Sequence, residues 1–141
     1  LSHPPRPHAA DGSTPFRILI VDNHPVNQKL LVWIVESSGS PERPQPICDL
    51  AHNGLHACDC VSYSEYDLVL MDMNMPVMTG REATAEIRRM EGQGELLTFL
   101  SPIPIVGMSA MTKKFTPEEY TEMGMDDFLQ WPVDRSGVDG V

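Results

Sequence analysis

Two aspartates in this chain each close an apolar run. Ile18-Leu19-Ile20-Val21 stops at Asp22-Asn23, and Leu68-Val69-Leu70-Met71 stops at Asp72-Met73-Asn74-Met75-Pro76. Runs of this length, bounded by turn residues, read as strands buried on both faces of a parallel sheet. Ligands of open parallel sheets bind beyond the carboxyl ends of the strands. Two such strands bring two carboxylates to one sheet edge, which suits a hard cation such as Mg2+ and a phosphate group.

The elements that must position these carboxylates follow in order along the chain. Residues 1–15, rich in Pro, Ser, His and Ala, read as a flexible linker, and residues 16–141 as one domain. A strand is expected over Arg17–Val21. A helix follows over Asn27–Glu36, near Pro25, with Leu30, Leu31, Ile34 and Val35 at helical spacing. Ser37 to Pro46 is turn-rich and longer than most connections, so it reads as a surface insertion. Next come a strand over Ile47–Ala51, a helix over Leu55–Ser62, a strand over Asp67–Met71 and a helix over Glu82–Met90. A strand over Ile103–Met108 precedes Thr116-Pro117-Glu118-Glu119. That segment signals a helix start, with Thr as N-cap, Pro first and acids in the first turn. Gly124 ends this helix, and Phe128–Gln130 forms the last strand. Strand alternating with helix gives an α/β domain with a parallel sheet.

Composition narrows the function. The net charge is −10 and the ten basic residues are scattered, which argues against nucleic acid as a direct partner. No run is long enough to span a membrane, and the start lacks a signal-peptide pattern, so direct membrane contact is not expected. Three cysteines without a framework suit reduced thiols in a cytoplasmic setting. Cys58-Asp59-Cys60 is too tight for a zinc site. His52 and His56 are separated by the turn signal Asn53-Gly54, so no zinc site is expected there either.

Five blocks carry a family resemblance: Ile18 to Asp22 with Asn27-Gln-Lys-Leu-Leu31; Ala51-His-Asn53-Gly54; Tyr66 to Gly80; Pro104 to Ala110; and Gly124 to Pro132. In this order they resemble the receiver domain of two-component response regulators, of the type fused to hybrid histidine kinases. The resemblance covers residues 16 to 133. It implies a flavodoxin-like (βα)5 three-layer sandwich with strand order 2-1-3-4-5, which sets Asp22 beside Asp72. It also implies that Asp72 is a phosphoacceptor for a phosphohistidine. Mg2+ would be held by Asp22, Asn23, Asp72 and the backbone carbonyl of Asn74. Ser109 matches the hydroxyl that senses the phosphoryl group, and Phe128 the aromatic switch.

The chain departs from the family pattern at three points. The second acid of the pair is Asn23, whose amide ligates without charge, so weak Mg2+ binding is expected. The family lysine is replaced by Trp131, whose indole offers only a neutral donor. Lys113 and Lys114 lie nearby in sequence. The usual last helix is short or missing in Val133 to Val141, leaving a face that a second copy of the chain could cover.

Implied partners are a histidine kinase, a histidine phosphotransfer protein, or both. They would dock on the first helix and the loops around the site, with Val26, Leu30 and Pro132 as apolar contacts. The domain alone would be an acceptor, and the parent chain a hybrid sensor kinase. The alternative is a pseudo-receiver that is phosphorylated inefficiently and signals through protein contacts. A haloacid dehalogenase-type phosphatase needs a second Asp where this chain has Asn74. A flavodoxin needs a phosphate loop that Asn23-His24-Pro25-Val26 does not supply.

Overall fold

β1 (Arg17–Val21) lies between β2 (Ile47–Ala51) and β3 (Leu68–Asp72), and β4 (Ile105–Ser109) and β5 (Asp127–Gln130) extend the sheet beyond β3. The structure is a computed structural model that describes residues 15–96, 102–109 and 115–130. All neighbouring strands are parallel, in the order β2-β1-β3-β4-β5. Four helices connect them: α1 (Pro25–Ser37), α2 (Gly54–Tyr63), α3 (Gly80–Gly92) and α4 (Pro117–Glu122). The expected topology is present. Residues 1–14, Lys113, Lys114, Trp131, Pro132 and the tail that would hold a last helix lie outside the described residues.

Side chains alternate across the sheet and build two cores. Leu19, Val21, Val69, Met71 and Ile105 face α2 and α3, where Ala57, Val61, Ala83 and Ile87 meet them. Ile18, Ile20, Leu70 and Met108 face the other way, onto Leu31 of α1. Each fully buried aliphatic side chain contributes roughly 1.5–3 kcal/mol, so these layers hold the sheet edge rigid.

Several boundaries differ from the sequence expectation. α1 begins at Pro25, because proline is preset for the first helical turn. Of its apolar residues only Leu31 is buried, while Leu30 and Ile34 are exposed and the buried neighbour is Gln28. α3 begins at Gly80 because Thr79 caps it. The Thr79 hydroxyl accepts the Glu82 N–H, and the Glu82 carboxylate accepts the Thr79 N–H.

β4 begins at Ile105 instead of Ile103. The Ile103 N–H donates to Glu91 Oε2 at 2.7 Å instead of joining the ladder, and Pro104 has no N–H. β3 runs through Asp72, which pairs in register with Met108. The Asp72 carboxylate is therefore held on the strand itself.

Candidate functional site

Val21 pairs with Met71 in register, so Asp22 and Asp72 follow on adjacent strands at the carboxyl edge of the sheet. Asp22 is 1% exposed. Its backbone N–H donates to the Ala51 carbonyl at 3.0 Å. Its Oδ1 accepts the His24 N–H at 2.8 Å, and Oδ2 the Asn27 side-chain amide at 3.4 Å. Asp72 Oδ1 accepts the Asn74 N–H at 3.1 Å, which fixes the rotation of that carboxylate. Burial pushes the Asp72 carboxyl up to about 6. The Asn74 N–H opposes that rise, the Asp22 charge adds to it, and His24 offsets part of it. Among the described residues neither aspartate has an ion-pair partner.

Asn23 supplies a further observation. Its side-chain oxygen is buried and has no hydrogen-bond partner among the described residues. Buried acceptors are nearly always satisfied, so an orphaned oxygen on the residue that follows Asp22 fits a role in holding a ligand. The donor set is made of hard oxygens, which fits Mg2+. Among the described residues no cluster of three or more His, Cys, Asp or Glu could hold a metal.

The loop from Asp72 to Gly80 is built tightly. Met73 N–H donates to the Met108 carbonyl at 2.8 Å, and Gly80 N–H to the Met73 carbonyl at 3.3 Å. A Cβ on Gly80 would collide with the Asp72 carbonyl, so only glycine lets α3 start this close to the strand end. Val77 has φ of 70°, and the Met78 N–H reaches back to the Pro76 carbonyl at 2.7 Å. This is a γ-turn of the strained positive-φ kind, here on a β-branched residue. The Met78 carbonyl accepts the Gly54 N–H at 3.1 Å, tying the loop to α2.

Ser109 ends β4 one residue beyond the partner of Asp72, at the same edge, and is 1% exposed. Phe128 is half-buried on β5. Its ring meets Phe115 edge-on at 4.9 Å and stacks on Tyr120 at 6.4 Å. Opposite it, Gly107 leaves room on β4, since a Cβ there would fall 2.7 Å from the Phe128 ring. Trp131 lies outside the described residues.

The structure thus brings together Asp22, Asn23, Asp72 and Asn74, with Ser109 beside them. Sequence reasoning missed Gln28 and His52. Gln28 donates to the Asp22 carbonyl and lies 3.1 Å from His52 Nδ1. Its signal was available, since Gln28 stands three residues before buried Leu31 on the same helix face. His52 and His56 do meet despite the intervening turn, with ring centres 5.3 Å apart and the His52 N–H donating to His56 Nδ1. The thiols of Cys48, Cys58 and Cys60 are free, and burial pushes all three up, Cys58 to about 11, which keeps them protonated at neutral pH. No helix among the described residues is long and apolar enough to cross a membrane.

Comparison with known proteins gives a consistent picture. The family model described as response regulator receiver domain matches residues 18–138. Hybrid signal transduction histidine kinase B of Dictyostelium discoideum is 36% identical over 126 residues, which covers 86% of this chain and 6% of that protein. Sensor histidine kinase RcsC of Salmonella typhimurium is 35% identical over 124 residues, covering 88% of this chain and 12% of that protein. The chain therefore spans only a small part of these curated relatives.

Among solved structures, the receiver domain of sensor histidine kinase PA1611 from Pseudomonas aeruginosa holds a magnesium ion in its active-site cleft. It superposes with a TM-score of 0.67 at 28% identity, over 90% of this chain and 93% of that one. The receiver domain of Ssk1 from Saccharomyces cerevisiae was crystallised with the histidine phosphotransfer protein Ypd1. That structure matches with a TM-score of 0.70 at 26% identity, over 89% of this chain and 84% of that chain.

Proposed function

This chain belongs to the response regulator receiver domain family, and we propose that Asp72 is its phosphoacceptor. The observation that carries this reading is the orphaned Asn23 oxygen, together with two neighbouring carboxylates, Asp22 and Asp72, that have no ion-pair partner among the described residues. Mg2+ would be held by Asp22, Asn23, Asp72 and the Asn74 carbonyl. When bound, it supplies the charge neutralisation on which phosphoryl transfer depends.

The chain's own residues do the rest. Asp72, with its carboxyl raised to about 6, is mostly ionised at neutral pH and is more basic than an ordinary aspartate. One of its oxygens forms a bond to phosphorus as the P–N bond of a phosphohistidine breaks. The imidazole leaves with the electron pair and takes its proton from water. The Asn74 N–H holds Oδ1 and so orients the attack. The Ser109 hydroxyl turns toward the phosphoryl oxygens, and Phe128 follows it across the space beside Gly107. Trp131 stands where the family has lysine and offers only a neutral N–H donor at that position, which tunes the formation and lifetime of the acyl phosphate.

The exposed apolar side of α1, with Val26, Leu30 and Trp33, is the docking surface for a histidine phosphotransfer protein or kinase. The pairing of Ypd1 with the Ssk1 receiver domain supports this choice of partner. The relatives support a hybrid sensor histidine kinase as the parent chain.

The test is intact-mass analysis of the chain after incubation with acetyl phosphate, with and without Mg2+, alongside Asp72→Asn. A metal-dependent phosphate adduct absent from the variant is the expected result. No adduct on the wild-type chain would favour a pseudo-receiver that works through protein contacts.

A further inference from the structure

Every polar group of Asp22 has a partner, and one partner is unusual. The backbone N–H reaches β2, and the carboxylate takes the His24 and Asn27 donors. The carbonyl, in a residue 1% exposed, is satisfied by a side chain, the amide of Gln28. A carbonyl only accepts, so the Gln28 atom facing it is the nitrogen. That nitrogen has a second hydrogen, and His52 Nδ1 stands 3.1 Å from it. His52 in turn is tied to α2, because its N–H donates to His56 Nδ1 at 3.1 Å. One buried amide thus joins α1, the residue after β1, and the β2–α2 loop. Placing a glutamine at 6% exposure costs side-chain entropy and desolvation, which an apolar residue against Leu31 would avoid.

We propose that Gln28 is a positioning residue for the Asp22 cation ligand, acting through its hydrogen bonds to the Asp22 carbonyl and to His52. This rests on the reading of Asp22 as a ligand. Without the amide, the carbonyl is orphaned and the Asp22 peptide can rotate, carrying the carboxylate with it. Groups that orient ligands from behind typically alter metal affinity by about 10- to 100-fold.

The experiment is an NMR titration of the full chain with Mg2+, following backbone amide shifts, on the wild type, Gln28→Met, His52→Ala and the double variant. Gln28→Met keeps the volume and removes the donor. It is expected to bind Mg2+ about tenfold more weakly. His52→Ala should weaken binding less, and the double variant should be no worse than Gln28→Met, because both act through one amide. In phosphorylation, the Mg2+ concentration for half-maximal rate should rise while the maximal rate holds, a split that general loosening would not give.

Unchanged Mg2+ affinity in a folded Gln28→Met overturns the proposal, as do effects of the two substitutions that simply add. If Gln28→Met does not fold, the exposed His52→Ala decides alone, and wild-type affinity there overturns it. No Mg2+ response in the wild-type chain overturns both this and the ligand reading of Asp22, whereas a wild-type response unaltered in the variants overturns this alone.

Discussion

At the amino-terminal end of the sheet, Arg88 reaches Gly124 O at 2.8 Å, Glu91 Oε1 at 2.7 Å and Asp126 Oδ2 at 3.0 Å. Both acids also hold backbone, since Glu91 Oε2 accepts the Ile103 N–H and Asp126 Oδ2 accepts the Ile105 N–H as well as Arg88. At the carboxyl end, among the described residues, Asp22 and Asp72 stand together with no ion-pair partner, and the buried Asn23 amide oxygen accepts no hydrogen bond. The two ends use the same residue types. One end spends its acids on joining α3, β4 and the turn before β5, and the other leaves its acids facing each other. Charge that the fold neutralises for itself holds structure, and charge left crowded is available to a ligand.

Breaking the amino-terminal end should have the larger effect on stability. Arg88→Met removes the partner of the largely buried Glu91 carboxylate along with the bonds to Gly124 and Asp126, and should lower unfolding free energy by about 2 kcal/mol, read from urea denaturation. Relieving the carboxyl end should do the reverse. The Asp72 carboxyl is raised in the folded state, so its stabilising contribution is full below the unfolded value of 3.8 and is lost as pH rises through about 6. Asp72→Asn should therefore stabilise the metal-free protein by ~1.5 kcal/mol at pH 8, half-burial reducing the full linkage value. The gain should vanish by pH 4 in paired thermal melts. Phosphorylation of the wild type should fall as pH drops below about 6, as the nucleophile takes up a proton.

A smaller effect is expected at Val77. Val77→Gly removes the positive-φ strain and should add about 1 kcal/mol of stability, less the entropy of the freer chain. Smallest of all is Arg89→Ala. Its guanidinium pairs Glu86 and Glu95 in solvent, and its loss should leave the urea midpoint unmoved. A large loss there would blur the contrast between a built ion network and a surface one.

The site was legible because its chemistry sits at strand ends, where an apolar run meets an acid within a few residues. Asp22 and Asp72 could be placed at strand ends from local pattern, whereas Ser109 and the strand order came from the family resemblance. Arg88 could not be read this way, since its partners Gly124 and Asp126 lie 36 and 38 residues away and only the fold brings them near. α1 misled for a related reason. Leu30 and Ile34 carry the helical apolar spacing, yet the helix turns Gln28 and Leu31 to the sheet. Periodicity reports that a helix has an apolar side, not which apolar residues the sheet will cover. The Thr79 cap was written in the sequence as Thr-x-x-Glu, but the expected helix start at Glu82 passed over it.

The order β2-β1-β3 also sets a timetable for synthesis on the ribosome. β1 emerges early but cannot be closed on both edges until β3 has left the exit tunnel, and until then Leu19, Ile20 and Val21 have only one flank covered. The contact that completes this central strand also sets Asp72 next to Asp22. A nascent chain stalled before residue 68 holds only the first of the two carboxylates, so the pairing of Asp22 with Asp72 arrives together with the closing of β1.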